Sequence, residues 1–297
     1  MSNYYGEIAA LGTSLCWSFC SILFTISSKR IGHNYVNRLR LTIALVFITF
    51  VHYIIYKSFV PVNINLNHLF WFGLSGVIGF VIGDRFLFKS FVFVGPRIGM
   101  LMMSLTPIFG ALIAWIFLHE SLTFQKVIAT TVTLIGISWV VLERNGNEYE
   151  KGHYSTGILL GIGAAFCQAL GLILSKKGLS EDLSPLFGNV IRVFVGVVTI
   201  WLIPIFKGEI VLSFKKLKDK KAGFALLGGS FLGPFIGVWL SLIAVQYTLV
   251  GIASTLMALP PVILLPLSFL IFKEKITIRA IIGTCVTLAG VGMIFLL

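Results

Sequence analysis

The sequence has few charged residues, and this shortage excludes most classes of soluble protein. Only 11% of its 297 residues are charged, 57% are hydrophobic, and the mean hydropathy is +0.98. A typical soluble domain carries about 25% charged residues. The composition therefore predicts an integral membrane protein with little of its chain in water.

Several chemical motifs are also absent. There is no G-x-x-x-x-G-K-[ST] phosphate loop, so an ATP-driven pump is not expected. Neither H-E-x-x-H nor H-x-x-E-H occurs, which argues against a metal-dependent membrane enzyme. The four cysteines form no C-x-x-C pair and are interpreted as unreactive buried thiols. We therefore expect no enzyme activity, no cofactor and no metal, and the start, which lacks Lys and Arg, predicts no removable signal peptide.

What the sequence does contain is a series of long apolar stretches. Each is close to the roughly 20 residues that a membrane-spanning helix needs. They fall at 7–28, 39–56, 68–93, 98–118, 124–142, 156–175, 186–206, 222–246, 251–272 and 277–297. The predicted fold is an all-α polytopic membrane protein with ten transmembrane helices.

The apolar stretches belong to an internal duplication. Residues 69–142 align without a gap onto residues 223–296 at a spacing of 154, and the spacing is 152 where Asn37-x-x-Arg40 meets Asn189-x-x-Arg192. The paired residues further along are Gly79/Gly233, Gly83/Gly237, Pro107/Pro261, Glu120/Glu274, Thr123/Thr277, Thr133/Thr287 and Gly136/Gly290. The predicted repeats cover residues 1–145 and 152–297. Five spans per repeat is an odd number, so the two copies cross the membrane in opposite directions as an inverted repeat.

Residues shared by both repeats are interpreted mainly as scaffold. The glycines four apart suit close helix approach, and each proline predicts either a gating kink or a fixed bend within its span. Thr123 and Thr277 are predicted N-caps, which we favour over a proton-coupling role for Glu120 and Glu274. The paired arginines either snorkel to the surface or face an anionic group in a cavity, and the structural role is favoured.

Polar residues present in one repeat alone are better candidates for a site. Asp84, Arg85 and Lys89 lie within the third span, and their counterparts in the eighth are Val238, Trp239 and Ile243. A charge in that position costs on the order of 3 kcal/mol, so function is favoured over a self-contained ion cluster.

A second set of candidates lies in the first, sixth and eighth spans. Gln168 is predicted either to hydrogen-bond a polar ligand or to link two helices. Trp17, its counterpart in the first repeat, and Trp239 are predicted as apolar walls of the same cavity.

These features together resemble the drug/metabolite transporter superfamily in its ten-helix form with two EamA-like domains. The resemblance rests on the duplication, the arginine of each second span and the Pro…Glu-x-x-Thr run of each fourth span. Within it, residues 83–97 and 103–107 (Gly-Asp…Gly-Pro-Arg and Met-Ser-Leu-Thr-Pro) resemble one branch. The resemblance implies a secondary carrier, often an exporter, with a central cavity and a bacterial or archaeal cell membrane as its location.

The predicted function is alternating-access transport of a small polar or anionic metabolite or drug. Asp84, Arg85, Lys89, Gln168, Trp17 and Trp239 are the predicted substrate-binding residues, with Asp84 as the proton-coupling candidate. The alternatives are a lipid-handling membrane enzyme, a membrane scaffold or, less favoured, a channel. The expected partners are the small-molecule substrate and the lipid bilayer, without nucleic acid, and a homodimer is left open.

Membrane orientation stays open as well. Most lysines and arginines outside the spans lie in odd-numbered connections, which places both termini outside by the positive-inside rule. The basic run at residues 215–221 then lies against anionic headgroups. The family resemblance implies both termini inside.

Overall fold

The computed structural model describes residues 4–58, 65–118, 124–142, 153–179, 184–248, 253, 256–273 and 276–296, and every regular element in them is helical. The first repeat contains α1 (Tyr5–Ile31), α2 (His33–Tyr56), α3 (Leu66–Gly76), a π-helix (Val77–Gly83), α4 (Asp84–Met103), α5 (Thr106–Leu118) and α6 (Phe124–Leu142). The second contains α7 (Tyr154–Gly178), α8 (Pro185–Phe206), α9 (Ile210–Lys215), a 3₁₀ turn (Lys216–Lys218), α10 (Lys220–Ser230), a π-helix (Phe231–Gly237), α11 (Val238–Tyr247), α12 (Pro260–Phe272) and α13 (Ile278–Leu296).

Five of the described helices are long and apolar enough to cross a membrane. These spans are Tyr5–Ile31, His33–Tyr56, Tyr154–Gly178, Pro185–Phe206 and Lys220–Tyr247. Shorter apolar helices cover Val127–Val140, Pro260–Phe272 and Ile278–Met293. The all-helical, multi-pass membrane fold is confirmed, and the count of ten spans stays a prediction.

The duplication reappears as a matched pair of π-helices. Val77–Gly83 and Phe231–Gly237 are separated by the repeat spacing of 154 residues. A π-turn is wider than an α-turn and changes which backbone carbonyls are bonded within the helix. The Asn37 side-chain amide donates to the Phe80 carbonyl at 3.1 Å, and the Asn189 amide donates to the Pro234 carbonyl at 3.0 Å. The shared asparagine therefore fixes the second span of its own repeat to that repeat's π-helix.

The two repeats interlock through their first helices. Helix α1 packs against α10 and α11 of the second repeat, and α7 packs against α3 and α4 of the first. A Cβ atom on Gly6 would lie 2.7 Å from the Thr248 side chain, and one on Gly157 would lie 2.5 Å from that of Val94. Gly157 and Val94 are the repeat counterparts of Gly6 and Thr248, so the same contact is made twice across the molecule.

Helix α1 buries a face of small hydroxyl side chains, five of which donate hydrogen bonds to carbonyls of the same helix. Thr13 donates to the Ala9 carbonyl at 2.8 Å, and Ser18 donates to the Ser14 carbonyl at 2.7 Å. Ser14, Ser21 and Thr25 bond to earlier carbonyls in the same way. These five residues are at most 2% exposed, so this part of the polar face is satisfied within α1 before the helix meets any partner.

The last helices of the repeats, α6 and α13, form the most extensive helix pair among the described residues. A Cβ atom on Gly136 would lie 2.5 Å from the Thr287 backbone nitrogen, and one on Gly290 would lie 2.5 Å from the Thr133 nitrogen. Any side chain there would separate the two backbones. The paired glycines and threonines of the sequence are thus a single symmetric contact.

The glycines four apart behave as predicted where the helices are closest. A Cβ atom on Gly83 would lie 2.9 Å from the Cys167 Cβ, and one on Gly237 would lie 3.0 Å from the Trp17 indole. Gly79 and Gly233 are less crowded, at 3.6 Å from Arg192 and 3.2 Å from Cys20.

The prediction of a proline kink within the fourth and ninth spans is wrong in its detail. Helix α4 ends at Met103 and α5 begins at Thr106, so Pro107 lies in the first turn of a new helix. Helix α12 likewise begins at Pro260. Proline fits the first helical turn because its missing N–H would have no helical partner there. The spans are therefore interrupted rather than bent.

Helix α4 itself contains a sharp corner at Gly95, whose φ of 80° and ψ of 165° are not helical. Pro96 follows it and starts the next helical segment. The N-cap prediction for Thr277 is confirmed, because its hydroxyl oxygen accepts from the Ala280 N–H at 3.1 Å. Glu120, Thr123 and Glu274 lie outside the described residues.

Candidate functional site

A mostly apolar cavity that also contains a few charged and polar groups lies between the two repeats. It is lined by Trp17, Cys20, Ser21 and Phe24 of α1, Arg40 of α2, Phe80 of the first π-helix, Asp84, Leu87, Phe88, Phe91, Met100 and Met103 of α4, Gln168 and Leu172 of α7, Arg192 of α8, Gly233 and Pro234 of the second π-helix, and Val238 and Ser241 of α11. Its volume, counted for the centres of water molecules, is about 80 Å³. That is room for several waters by the same measure.

An ion pair between Asp84 and Arg40 forms one wall of this cavity. The Arg40 Nη2 donates to Asp84 Oδ2, and its Nε donates to Asn37 Oδ1 at 2.9 Å. Its Cζ lies 4.8 Å from the Phe88 ring centroid and 5.6 Å from that of Phe24. The Arg40 side chain is 3% exposed, and in the observed structure these contacts hold its guanidinium group against the cavity wall.

Arg192 is the repeat counterpart of Arg40 and has quite different contacts. Its Cζ lies 4.7 Å from the Phe80 ring centroid, and the residue is 2% exposed. Among the described residues, no carboxylate lies within ion-pair distance, and the Nε has no hydrogen-bond partner. The charge of Asp84 reaches Arg192 without direct contact. Arg192 is thus a buried cation in the cavity wall without a contacting anion.

Asp84 lies on the cavity-facing side of α4. The cavity-lining side chains in this part of α4 recur every three or four residues, at Asp84, Leu87, Phe88 and Phe91. Arg85 and Lys89 follow this face by one residue, about 100° further around the helix. Arg85 is exposed, and the Lys89 ammonium lies 5.6 Å from the Phe93 ring centroid.

The structure therefore does not bring Arg85 and Lys89 into the cavity with Asp84. Both charges act on His33, at the start of α2. They belong to a basic region beside the α1–α2 connection instead.

Of the three remaining residues predicted to bind substrate, two line the cavity. Trp17 and Gln168 both line it, as repeat counterparts facing the same space. The Gln168 amide makes no hydrogen bond with the described residues, so it does not link two helices there. Trp239 is directed elsewhere: its ring lies 6.1 Å from that of Phe235, within an apolar cluster around Ile48 and Leu186. Trp239 is the repeat counterpart of Arg85. Like Arg85, it follows a cavity-lining residue by one position and therefore lies about 100° away from the cavity-facing side of its helix.

The sequence interpretation kept a cavity-facing position open for Arg40 and Arg192 but favoured a structural role, because both repeats carry them. The neglected signal was their position: each lies three residues after an asparagine and thus on the same helix face. In an inverted repeat, a pair of equivalent residues close to the symmetry axis meets in the centre of the molecule.

No group of three or more metal-ligating side chains occurs within the part of the chain that the structure describes. The described residues that line the cavity offer two guanidinium groups, one carboxylate, one amide, one thiol, two hydroxyls and aromatic walls.

Apolar helices, a duplicated architecture and a cavity with buried charged groups between the copies define an integral multi-pass membrane protein with the organisation of a transporter. The chain belongs to the EamA-like transporter family, whose model matches residues 4–142 and 155–296. This places it among membrane transporters of the drug/metabolite transporter superfamily, a family that is generally non-enzymatic.

A solved structure described only as a crystal structure of a protein shares the fold. The superposition has a TM-score of 0.65 at 15% identity and covers 99% of this chain and 98% of the other. No curated protein matches the sequence.

Proposed function

We propose that this protein is a secondary transporter that moves a small organic anion with an apolar body by alternating access, in the direction of export. The observation that carries the proposal is the charge balance of the cavity. Two guanidinium groups face one carboxylate, and the carboxylate is already paired with Arg40.

Arg192 is the group that would bind the anion. A buried charge without a partner is costly, so an anionic ligand next to Arg192 would relieve a penalty that the protein otherwise carries. A guanidinium group also matches a carboxylate or phosphate with two parallel hydrogen bonds. The expected substrate therefore carries one of these groups.

The remaining walls suit an apolar or aromatic substrate body. Trp17, Phe24, Phe88 and Phe91 line the cavity, and small-molecule sites combine such surfaces with few polar groups that fix orientation. The Gln168 amide can both donate to and accept from the substrate. Because the observed cavity holds only several waters, a whole metabolite enters after the repeats have moved apart.

Asp84 is the candidate for proton coupling, since it is the one carboxylate among the described residues that line the cavity. A proton on Asp84 would remove the charge that holds Arg40. Transport is then driven either by the substrate gradient or by protons.

The test is transport in proteoliposomes with a panel of anionic, neutral and cationic metabolites, comparing Arg192→Gln with Lys89→Gln. Each variant removes one cation, but only the first lines the cavity. We expect Arg192→Gln to lower transport of anions by at least tenfold and Lys89→Gln to stay within twofold of the parent protein. Equal effects of the two variants, or transport restricted to cations, would refute the assignment.

A further inference from the structure

The two repeats carry the same arginine and asparagine in two different arrangements. In α2, the Arg40 Nε donates to Asn37 Oδ1 at 2.9 Å. In α8, the equivalent atoms Arg192 Nε and Asn189 Oδ1 are both buried and have no hydrogen-bond partner among the described residues. The arginine–asparagine hydrogen bond of the first repeat is thus absent from the described residues of the second.

The asparagines do not share this difference. Both asparagines donate from their amide nitrogen to the π-helix of their own repeat, so both present the carboxamide oxygen in an equivalent setting. Asn189 and Arg192 are three residues apart on one helix, as are Asn37 and Arg40, and such residues are neighbours on the helix surface. A change of side-chain rotamer is enough for Arg192 to reach Asn189.

Buried donors and acceptors are seldom left unpaired, so two complementary unpaired atoms on one helix face need an explanation. We infer that Arg192 has two positions. In the observed position it faces the cavity beside Phe80, and in a docked position its Nε donates to Asn189 Oδ1, as Arg40 does to Asn37.

The inverted repeat assigns the docked position to the opposite-facing state. In alternating access between inverted repeats, one repeat moves against the other as the cavity changes its open side. We take the arrangement of the first repeat in the observed state as that of the second repeat in the opposite state. Arg192 docks on Asn189 as Arg40 leaves Asn37, so the cation available to an anion changes with the facing of the cavity. This inference rests on the proposed function and makes Asn37 and Asn189 positioning residues for the substrate-binding arginines.

The experiment uses the native Cys20 as a reporter, in full-length protein in which Cys16, Cys167 and Cys285 are replaced by serine. Cys20 lines the cavity and is 7% exposed, and a buried thiol is unreactive until water reaches it. The rate of labelling by a membrane-impermeant maleimide is measured from each face of proteoliposomes. The ratio of the two rates reports the facing of the cavity without any knowledge of the substrate.

Three variants are compared with this parent protein. Asn37→Ala removes a bond of the observed state, and Asn189→Ala removes the bond inferred for the opposite state. The two variants are matched, since each also loses its amide bond to a π-helix. Asn189→Asp gives Arg192 a charged and stronger acceptor in the docked position.

We expect Asn37→Ala and Asn189→Ala to shift the labelling ratio in opposite directions, each by at least fivefold. Asn189→Asp should shift it in the same direction as Asn37→Ala. Shifts in one common direction, or an unchanged ratio with Cys20 labelled from both faces, would overturn the inference. Labelling from a single face in all proteins, the parent included, would instead refute alternating access and hence the proposed function.

Discussion

At the scale of the residue, the cavity is governed by the different surroundings of two arginines. Phe80 lies between them, with its ring centroid 5.8 Å from the Arg40 Cζ and 4.7 Å from the Arg192 Cζ. Arg40 has a carboxylate and an amide to bind, whereas Arg192 has only the aromatic face and the distant charge of Asp84. The two arginines occupy equivalent positions in their repeats, but their different neighbours leave only Arg192 available to a ligand.

Loss of the carboxylate should destabilise the protein through Arg40. In Asp84→Asn the buried Arg40 guanidinium keeps its charge but loses its counter-charge, a change that typically costs about 3–5 kcal/mol. We expect the thermal unfolding midpoint in detergent to fall clearly. The double variant Asp84→Asn/Arg40→Gln should regain most of the loss, because the uncompensated charge is gone. Equal stability of Asp84→Asn and the parent protein would contradict the pairing.

A site residue could be predicted from the sequence where the cost of burying its charge depends on that residue alone. Asp84 is the one acidic residue predicted well inside a span, since Glu7 lies at the very start of the first, and that position identified it. Lys89 was placed beside it because the two are close in sequence, although the turn of the helix separates their faces. The pairing of Asp84 with Arg40 depends on contact between α2 and α4, which no local pattern in the sequence records.

At the scale of the element, the helices are held by contacts that depend on small side chains and caps. Gly136 and Gly290 were interpreted only as shared scaffold residues, and the sequence indicated neither the close approach of α6 and α13 nor that these helices are partners. The helix interruptions before Pro107 and Pro261 were hidden by hydropathy, because an apolar stretch stays apolar across a break. The corner at Gly95 matches the predicted boundary between the third and fourth spans, since glycine followed by proline is a local signal.

The α6–α13 pair gives a direct test of close backbone contact. In Gly136→Ala the new methyl group would meet the Thr287 nitrogen at 2.5 Å, and overpacking of this kind costs about 1–3 kcal/mol. We expect a lower unfolding midpoint in a thermal-shift measurement. Gly110→Ala is the control, because a Cβ atom there has no neighbour within 4 Å. An equal effect of both substitutions would show that helix propensity rather than packing is measured.

The start of α10 should contribute a pH-dependent stability. The Ala222 N–H donates to Asp219 at 3.0 Å and Arg30 pairs with it at 2.8 Å, and these contacts hold the pKa of Asp219 below its usual range. A lowered pKa means that the contribution is present above about pH 4, the unfolded value, and is lost as the pH falls through the folded value.

Asp219→Ala should therefore lower the unfolding midpoint at pH 7 and make less difference at about pH 3. Asp219→Asn keeps an acceptor for the Ala222 N–H but loses the charge. At pH 7 its unfolding midpoint should lie between that of the parent protein and that of Asp219→Ala. A deficit of Asp219→Ala that is the same at both pH values would exclude the charged cap as its cause.

At the scale of the whole molecule, the first helix of each repeat packs mainly against helices of the other repeat. Helix α1 lies against the second repeat and α7 against the first, and the Ser27 hydroxyl donates to the Ala222 carbonyl across that boundary at 3.1 Å. The duplication was evident in the sequence, but this exchange of partners was not. Equivalent residues in two copies reveal the symmetry of a contact without stating whether it is made within a copy or between copies.

Interlocking predicts that the halves need each other. Residues 1–147 and 148–297 produced as separate chains in one cell should co-purify in detergent and recover anion transport, because the cavity is lined from both repeats. Each half produced alone should be aggregated or degraded. A stable, monomeric first half would contradict the packing described for α1. The variant Gly6→Leu, which obstructs the Thr248 contact, is expected to reduce co-purification.

The hydroxyl face of α1 has a consequence for biosynthesis. Helix α1 is synthesised first, yet its packing partners α10 and α11 follow some 200 residues later. At about 5–20 residues per second this delay is on the order of ten seconds or more. During that time the serines and threonines of α1 face lipid or transient neighbours, where an unsatisfied polar group costs several kcal/mol. Five of these hydroxyls, those of Thr13, Ser14, Ser18, Ser21 and Thr25, already bond to a carbonyl of their own helix. They therefore avoid that cost while α1 lies in the bilayer before its partners are made.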